Sequence, residues 1–339
     1  MGQRVFADVL AIAESARKPR YNGSMTPLSL RRIWPVLLIV GLLAIGAVTV
    51  YEMQAAGTSP GVADNSTLPP ELRRLVPLHT PLAKPMPGEW LAEHHEDGQD
   101  YKQYLRSRPI RANPQRRTLY VQPLGEFQLE QRKILDLTAE FLGIYYQLPV
   151  KVQADLPLSL VAQSGRRDHP VTGQPQLLST YILDEVLKPR LPADAVACLA
   201  LTTADLWPGE GWNFVFGQAS LADRVGVWSI HRFGELDGSD EAFRSVLLRT
   251  LGTAAHETGH MFSMAHCIYY ECAMDGSNSL AEADRHPLWL CPQCLAKLVY
   301  ATDTDPIKRF RELADFAQRH RLSREHDFWQ KSLDALGKP

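Results

Sequence analysis

The sequence has almost no net charge: 36 lysines and arginines against 38 aspartates and glutamates leave −2, with a pI near 6.6. It therefore lacks the basic footprint that nucleic-acid binding requires, and no nucleic-acid partner is expected. It has no long run of like charge, no internal repeat and no low-complexity block. Those absences remove solenoid arrays and compositionally disordered tracts. Long apolar runs are also scarce, with one exception near the N-terminus. Its 339 residues are enough for one large domain or two smaller ones around a sizeable core.

Cysteine is rare too, at five in the whole chain, yet four of the five fall between positions 267 and 294. They stand as Cys267-x4-Cys272 and Cys291-x2-Cys294. Two close pairs separated by a loop suit a closed tetrahedral zinc site with four thiolate ligands. Just before them runs H-E-x-x-H, from His256 to His260. On a helix this spacing puts both imidazoles on one face, one turn apart, able to grip one metal ion. Glu257 is about 100° round the same helix, within reach of water at that ion. His266 offers a third ligand six residues on. Three protein ligands leave a fourth position open, which is the layout of a catalytic zinc.

The order H-E-x-x-H-x5-H-C-x4-C-x-M, then S-N-S-L (Ser277, Asn278, Ser279, Leu280) and C-x-x-C, resembles the archaemetzincins, a family of zinc metallopeptidases. The similarity spans about residues 117–300, including Y-V-Q-P-L-G from Tyr120 and N-F-V-F-G-Q from Asn213. It implies a metzincin-like α/β (α+β) catalytic domain, with a mixed twisted sheet flanked by helices and zinc on a central helix. It also implies two zinc ions. His256, His260 and His266 would hold the catalytic one, with Glu257 as general base. Cys267, Cys272, Cys291 and Cys294 would hold the structural one, with Met274 in a Met-turn below the catalytic metal. One position departs from the wider metzincin pattern, where glycine follows H-E-x-x-H by three residues: here it is Ser263. Serine there must take a left-handed conformation, at about 1 kcal/mol, or turn the chain another way.

The N-terminal 32 residues are rich in arginine, and residues 33–51 form a 19-residue run without charge, long enough to span a bilayer. With the cations on its N-terminal side, the run is expected to be a single-pass signal anchor, with residues 1–32 cytoplasmic and the catalytic part extracytoplasmic. The alternative is a secreted or periplasmic protein after signal cleavage. Residues 52–116 follow as a proline-rich linker and pre-domain segment whose dense prolines predict a stiff spacer at 52–87. Residues 117–300 are the metallopeptidase domain and 301–339 are C-terminal helices.

Within the domain, strands are expected at 118–122, 150–153, 195–203, 214–217 and 225–233. Helices are expected at 129–145 and 180–187, and the central one at 241–265. The strand near 214–219 is a candidate edge for a substrate backbone to join. His286 is the local rival to His266, and Tyr269, Tyr270 and His286 are candidate hydrogen-bond donors. Cys198, in an apolar strand, reads as an inert buried thiol. At the end of the chain, Asp305-Pro306 and Ser323 are capping signals, and Ile307, Phe310, Leu313 and Ala317 form an apolar stripe.

The chemistry of this set is hydrolysis of peptide bonds by a zinc-activated water, with a peptide or protein as substrate. Two other readings use the same residues. One is a catalytically silent zinc module that binds peptides or proteins. The other is a thiol–disulfide protein working through Cys291 and Cys294, or disulfides among the four cysteines.

Overall fold

The computed structural model describes residues 9–12 and 58–337. Among them, nine strands form one mixed sheet: β1 (Val9–Ile12), β2 (Thr118–Leu124), β3 (Val150–Val152), β4 (Arg166–Asp168), β5 (Pro175–Leu178), β6 (Ala195–Thr202), β7 (Asp205–Trp207), β8 (Phe214–Ala219) and β9 (Val225–Ser229). Eight of them follow the order β3-β2-β6-β9-β8-β7-β5-β4, and β1 pairs with β8. The half from β3 to β9 is parallel, and β8 is antiparallel to β9, β7 and β1.

Every residue of β6 is buried, as its unbroken apolar run requires of a strand covered on both faces. Ala197, Leu199 and Leu201 join the larger core, and Cys198 and Ala200 the smaller one on the opposite face. The larger core is closed by the helices Leu129–Tyr146 and Asp240–Met261, and the smaller by Ile182, Leu183, Val186 and Leu187. The two C-terminal helices, Pro306–Arg319 and Ser323–Gly337, pair with each other, and the first lies on Leu129–Tyr146. Phe310, Leu313 and Ala317 are buried there, but Ile307, in the first turn of its helix, is 42% exposed and stands off the stripe.

The central helix begins at a Ser239 cap, whose hydroxyl accepts the Ala242 N–H at 3.1 Å. Val246, Leu247, Leu251 and Ala254 are its core face. It ends at Met261, earlier than expected, because Ser263 turns the chain with φ of +64°. The left-handed strain is offset by the Ser263 hydroxyl, which donates to Leu221 O at 2.9 Å and accepts Ile110 N–H at 3.2 Å. Ser263→Ala keeps the strain and loses both bonds. It is expected to destabilise the fold by about 1–3 kcal/mol, read from the midpoint of urea unfolding.

Two expectations about the N-terminal part are corrected. Residues 58–87 do not form a free spacer. Their prolines start short helical turns at Pro70–Arg73 and Val76–Leu78, which bury Leu68, Leu72 and Leu75 in the larger core. The expected single-pass membrane topology is also overturned, because no helix among the described residues is long and apolar enough to cross a membrane. The longest, Asp240–Met261, carries Asp240, Glu241, Arg244, Arg249 and Glu257. Residues 33–51 themselves lie outside the described residues.

Candidate metal centres

The C-terminal turns of the central helix bring His256 and His260 together, and the turn at Ser263 returns the chain so that His266 joins them. One ligand atom from each of the three buried rings lies within 4.8 Å of the others. His256 Nδ1 is 2.9 Å from Ala273 O and His260 Nδ1 is 2.7 Å from Met264 O. Carbonyl oxygens only accept, so both Nδ1 atoms carry the proton and both Nε2 atoms present lone pairs. Those two lone pairs face each other at 2.9 Å. Two acceptors that close repel each other, and a cation bound to both nitrogens relieves the repulsion. Protonating a ring instead is disfavoured, because burial pushes His256 far below its usual pKa and His260 down to about 3. The donor set fits a metal ion held by neutral imidazoles.

His266 is oriented differently. Its Nδ1 lies 2.7 Å from Glu96 Oε1. Burial pushes the Glu96 carboxyl up, but the hydrogen bond and charge of His266, with the Trp90 indole, hold it down at about 2. An ionised carboxylate only accepts, so this ring too presents Nε2 to the site.

Glu257 is buried beside Gly217 of β8, and a Cβ at position 217 would overlap its carboxylate. Met274 is fully buried under the same helix turn, and a Cβ at Gly259 would overlap its sulfur. A cavity of about 240 Å³ opens from His256 between Phe216, Phe233, Leu288, Asp275 and Glu325. His286, which donates to or accepts from Ser277 Oγ at 3.1 Å, lines this cavity and is not one of the three converging histidines. Tyr270 accepts from Asn65 through its hydroxyl, and Tyr269 lies against Gly61.

The second cluster is Cys267, Cys272, Cys291 and Cys294, all buried, with their sulfurs within 4.8 Å of one another. None of the five cysteines is in a disulfide. Cys267 and Cys291 sulfurs are 3.7 Å apart, against about 3.8 Å for the edge of a tetrahedron of zinc–thiolate bonds. Burial pushes the Cys272 and Cys291 thiols up. Hydrogen bonds from the other three pull Cys294 well down, so the cluster already favours a thiolate. Cys291 caps the helix Pro292–Thr302, and Lys297 Nζ lies 4.0 Å from the Cys294 sulfur. Burial pushes the isolated Cys198 thiol up to about 12, as an inert core thiol requires.

Several residues that build the site have no motif to mark them in the sequence. Glu96 and Trp90 come from the segment before β2, and Glu282 accepts the Trp90 and Asn278 N–H groups at 2.9 and 2.6 Å. Ser279 caps the short helix Leu280–Ala283 that places Glu282. The S-N-S-L run thus serves to dock residues 88–96.

A mixed α/β fold that converges three histidines beside the H-E-x-x-H glutamate is that of a zinc metallopeptidase. The chain belongs to the archaemetzincin family. Peptidase family M54 matches residues 181–300. Archaemetzincin-2 of Homo sapiens is 35% identical over 268 residues, covering 70% of this chain and 74% of that protein. Archaemetzincin-1 of Homo sapiens is 29% identical over 262 residues, covering 68% of this chain and 52% of that one. A crystal structure of archaemetzincin from Archaeoglobus fulgidus, complexed with malonate, is 27% identical; the match covers 53% of this chain and 99% of that one, with a TM-score of 0.42.

Proposed function

We propose that the chain hydrolyses peptide bonds at the three-histidine centre with Glu257 as general base, and that a second zinc ion is held by the four cysteines. Zinc bound by three neutral imidazoles keeps its full charge, lowers the pKa of water to about 7 and polarises a carbonyl. Glu257 takes the proton of the attacking water and passes it to the leaving amine. Gly217 leaves room for that carboxylate against β8, which keeps the base beside any chain lying along the strand. On the side of β8 away from β9, Val9 to Ile12 pair antiparallel with Gln218 to Phe214, so that side can hold a strand in this register. A substrate backbone taking the place of Val9 to Ile12 on β8 would pass Glu257. The cavity beside His256 would take a side chain next to the scissile bond, with largely apolar walls and the Asp275 and Glu325 carboxyls at its lining.

The observation that carries this reading is the inward convergence of three buried imidazoles beside a buried glutamate. The test is chelation followed by metal return. Peptide cleavage is expected to vanish on removal of zinc from the histidine site and to return on adding one equivalent, with about two zinc ions per chain in the holo-protein. Cleavage that persists in metal-free protein would overturn the assignment. Zinc uptake without cleavage would favour the silent binding module instead.

A further inference from the structure

We infer that Glu96, from the segment that precedes the metallopeptidase part of the chain, is a positioning residue for the catalytic metal, holding His266 in its ligating tautomer and orientation. The inference rests on the three-histidine metal site proposed above.

The three candidate ligands are not oriented alike. His256 and His260 each donate Nδ1–H to a backbone carbonyl supplied by residues 264–273. His266 follows the left-handed turn at Ser263, and its Nδ1–H goes to a carboxylate 170 positions earlier in the chain. A carboxylate behind a ligating imidazole fixes which nitrogen carries the proton, fixes the ring plane and raises the basicity of the ligand.

Glu96 is itself well fixed. Its N–H donates to Thr58 Oγ1 at 2.6 Å, and the Oε1 that accepts from His266 also accepts from Trp90 Nε1 at 2.8 Å. The Trp90 ring stands edge-on to His266, with centroids 5.2 Å apart, and fills the space in front of Gly276, where a Cβ would overlap it. His94 lies over Trp90 at 3.9 Å and bonds Asn278 Oδ1 at 3.2 Å. With the Glu282 bond to Trp90 N–H, these contacts seat residues 90–96 on the loop after Met274. The neighbours His95 and Asp97 are exposed and pair with each other at 3.2 Å, whereas Glu96 between them turns inward. The metal site is therefore completed by the docking of the preceding segment.

The test uses the full chain loaded with cobalt(II), whose d–d absorption at histidines is distinct from thiolate charge transfer at the cysteines. Glu96→Met keeps the bulk of the side chain and removes the acceptor. It is expected to weaken metal binding at the histidine site about 10–100-fold in chelator competition and to change its d–d spectrum. The thiolate band and its chelator resistance should stay as in the wild type. Glu96→Gln retains an oxygen that can accept from both His266 and Trp90, and it should recover most of the affinity. If Glu96→Met does not fold, Glu96→Ala takes its place against the same Gln rescue. Wild-type affinity and spectrum in the acceptor-less variant would overturn the inference. So would equal metal loss from both sites, or a Gln variant no better than Met, since either marks Glu96 as a fold contact. A wild-type protein that takes up cobalt at the cysteines alone would instead overturn the metal-site reading, and this inference with it.

Discussion

Cys272→Ser is expected to lower the thermal midpoint by about 10 °C or more, the consequence of losing about 5 kcal/mol at roughly 2–4 °C per kcal/mol. Structural zinc sites contribute apparent binding free energies of about 10–16 kcal/mol in small zinc domains, and that energy is folding free energy. Here the cluster joins the loop after the central helix to the start of the helix Pro292–Thr302. Cys291 N–H donates to the Cys272 sulfur at 3.2 Å, Cys272 N–H donates to Asp275 at 2.9 Å, and Cys267 N–H donates to Met274 O at 2.8 Å. The loop so held also carries Ala273, whose carbonyl orients His256. Loss of the thiolate should therefore loosen the histidine site as well, with zinc content falling below one per chain under mild chelation. Calorimetry with parallel metal analysis reads both effects. An unchanged midpoint and two retained zinc ions would contradict the structural role given to the four cysteines.

Glu257→Gln is expected to reduce kcat about 10²- to 10⁴-fold, the range a positioned general base supplies. Metal content and stability should stay close to wild type. The amide has the size of the carboxylate, so it fits against Gly217 where any added atom on the strand would not. It can still hydrogen-bond water but can no longer take its proton. A fall in kcat with KM nearly unchanged identifies proton transfer as the lost step. Loss of zinc in this variant, or activity within a few-fold of wild type, would count against the role of Glu257.

The convergence of the histidines and of the cysteines was legible because each set is close in sequence. His256 to Cys294 spans 39 positions, and there the spacing of ligands is nearly the geometry of the sites. The long strand β6 was legible from its unbroken apolar run, and the two major helices from their periodicity. The strands β4, β5 and β7 were not, because three or four residues, with Arg166-Arg167-Asp168 among them, are too short and too polar to show alternation. Glu96 was hidden for a different reason. Its partner is 170 residues away, and a carboxylate in the charged run His94-His95-Glu96-Asp97 reads as a solvated surface. The prolines of residues 58–87 misled in the opposite direction, since they begin helical turns that bury three leucines. Ser263 marked the right position, but only the structure supplied the hydroxyl bonds that make its left-handed turn tolerable.

Hydrolysis of peptide bonds at the three-histidine centre is tested by cleavage of a mixed-length peptide library by the zinc-loaded full chain, read by mass spectrometry beside Glu257→Gln. Discrete cuts by the wild type are expected, and they should disappear in the variant while both proteins retain two zinc ions. Cuts one residue from the N-terminus would mark an aminopeptidase, and internal cuts an endopeptidase. An intact library with both proteins fully metallated would contradict the account and leave a zinc-bound peptide-binding module in its place.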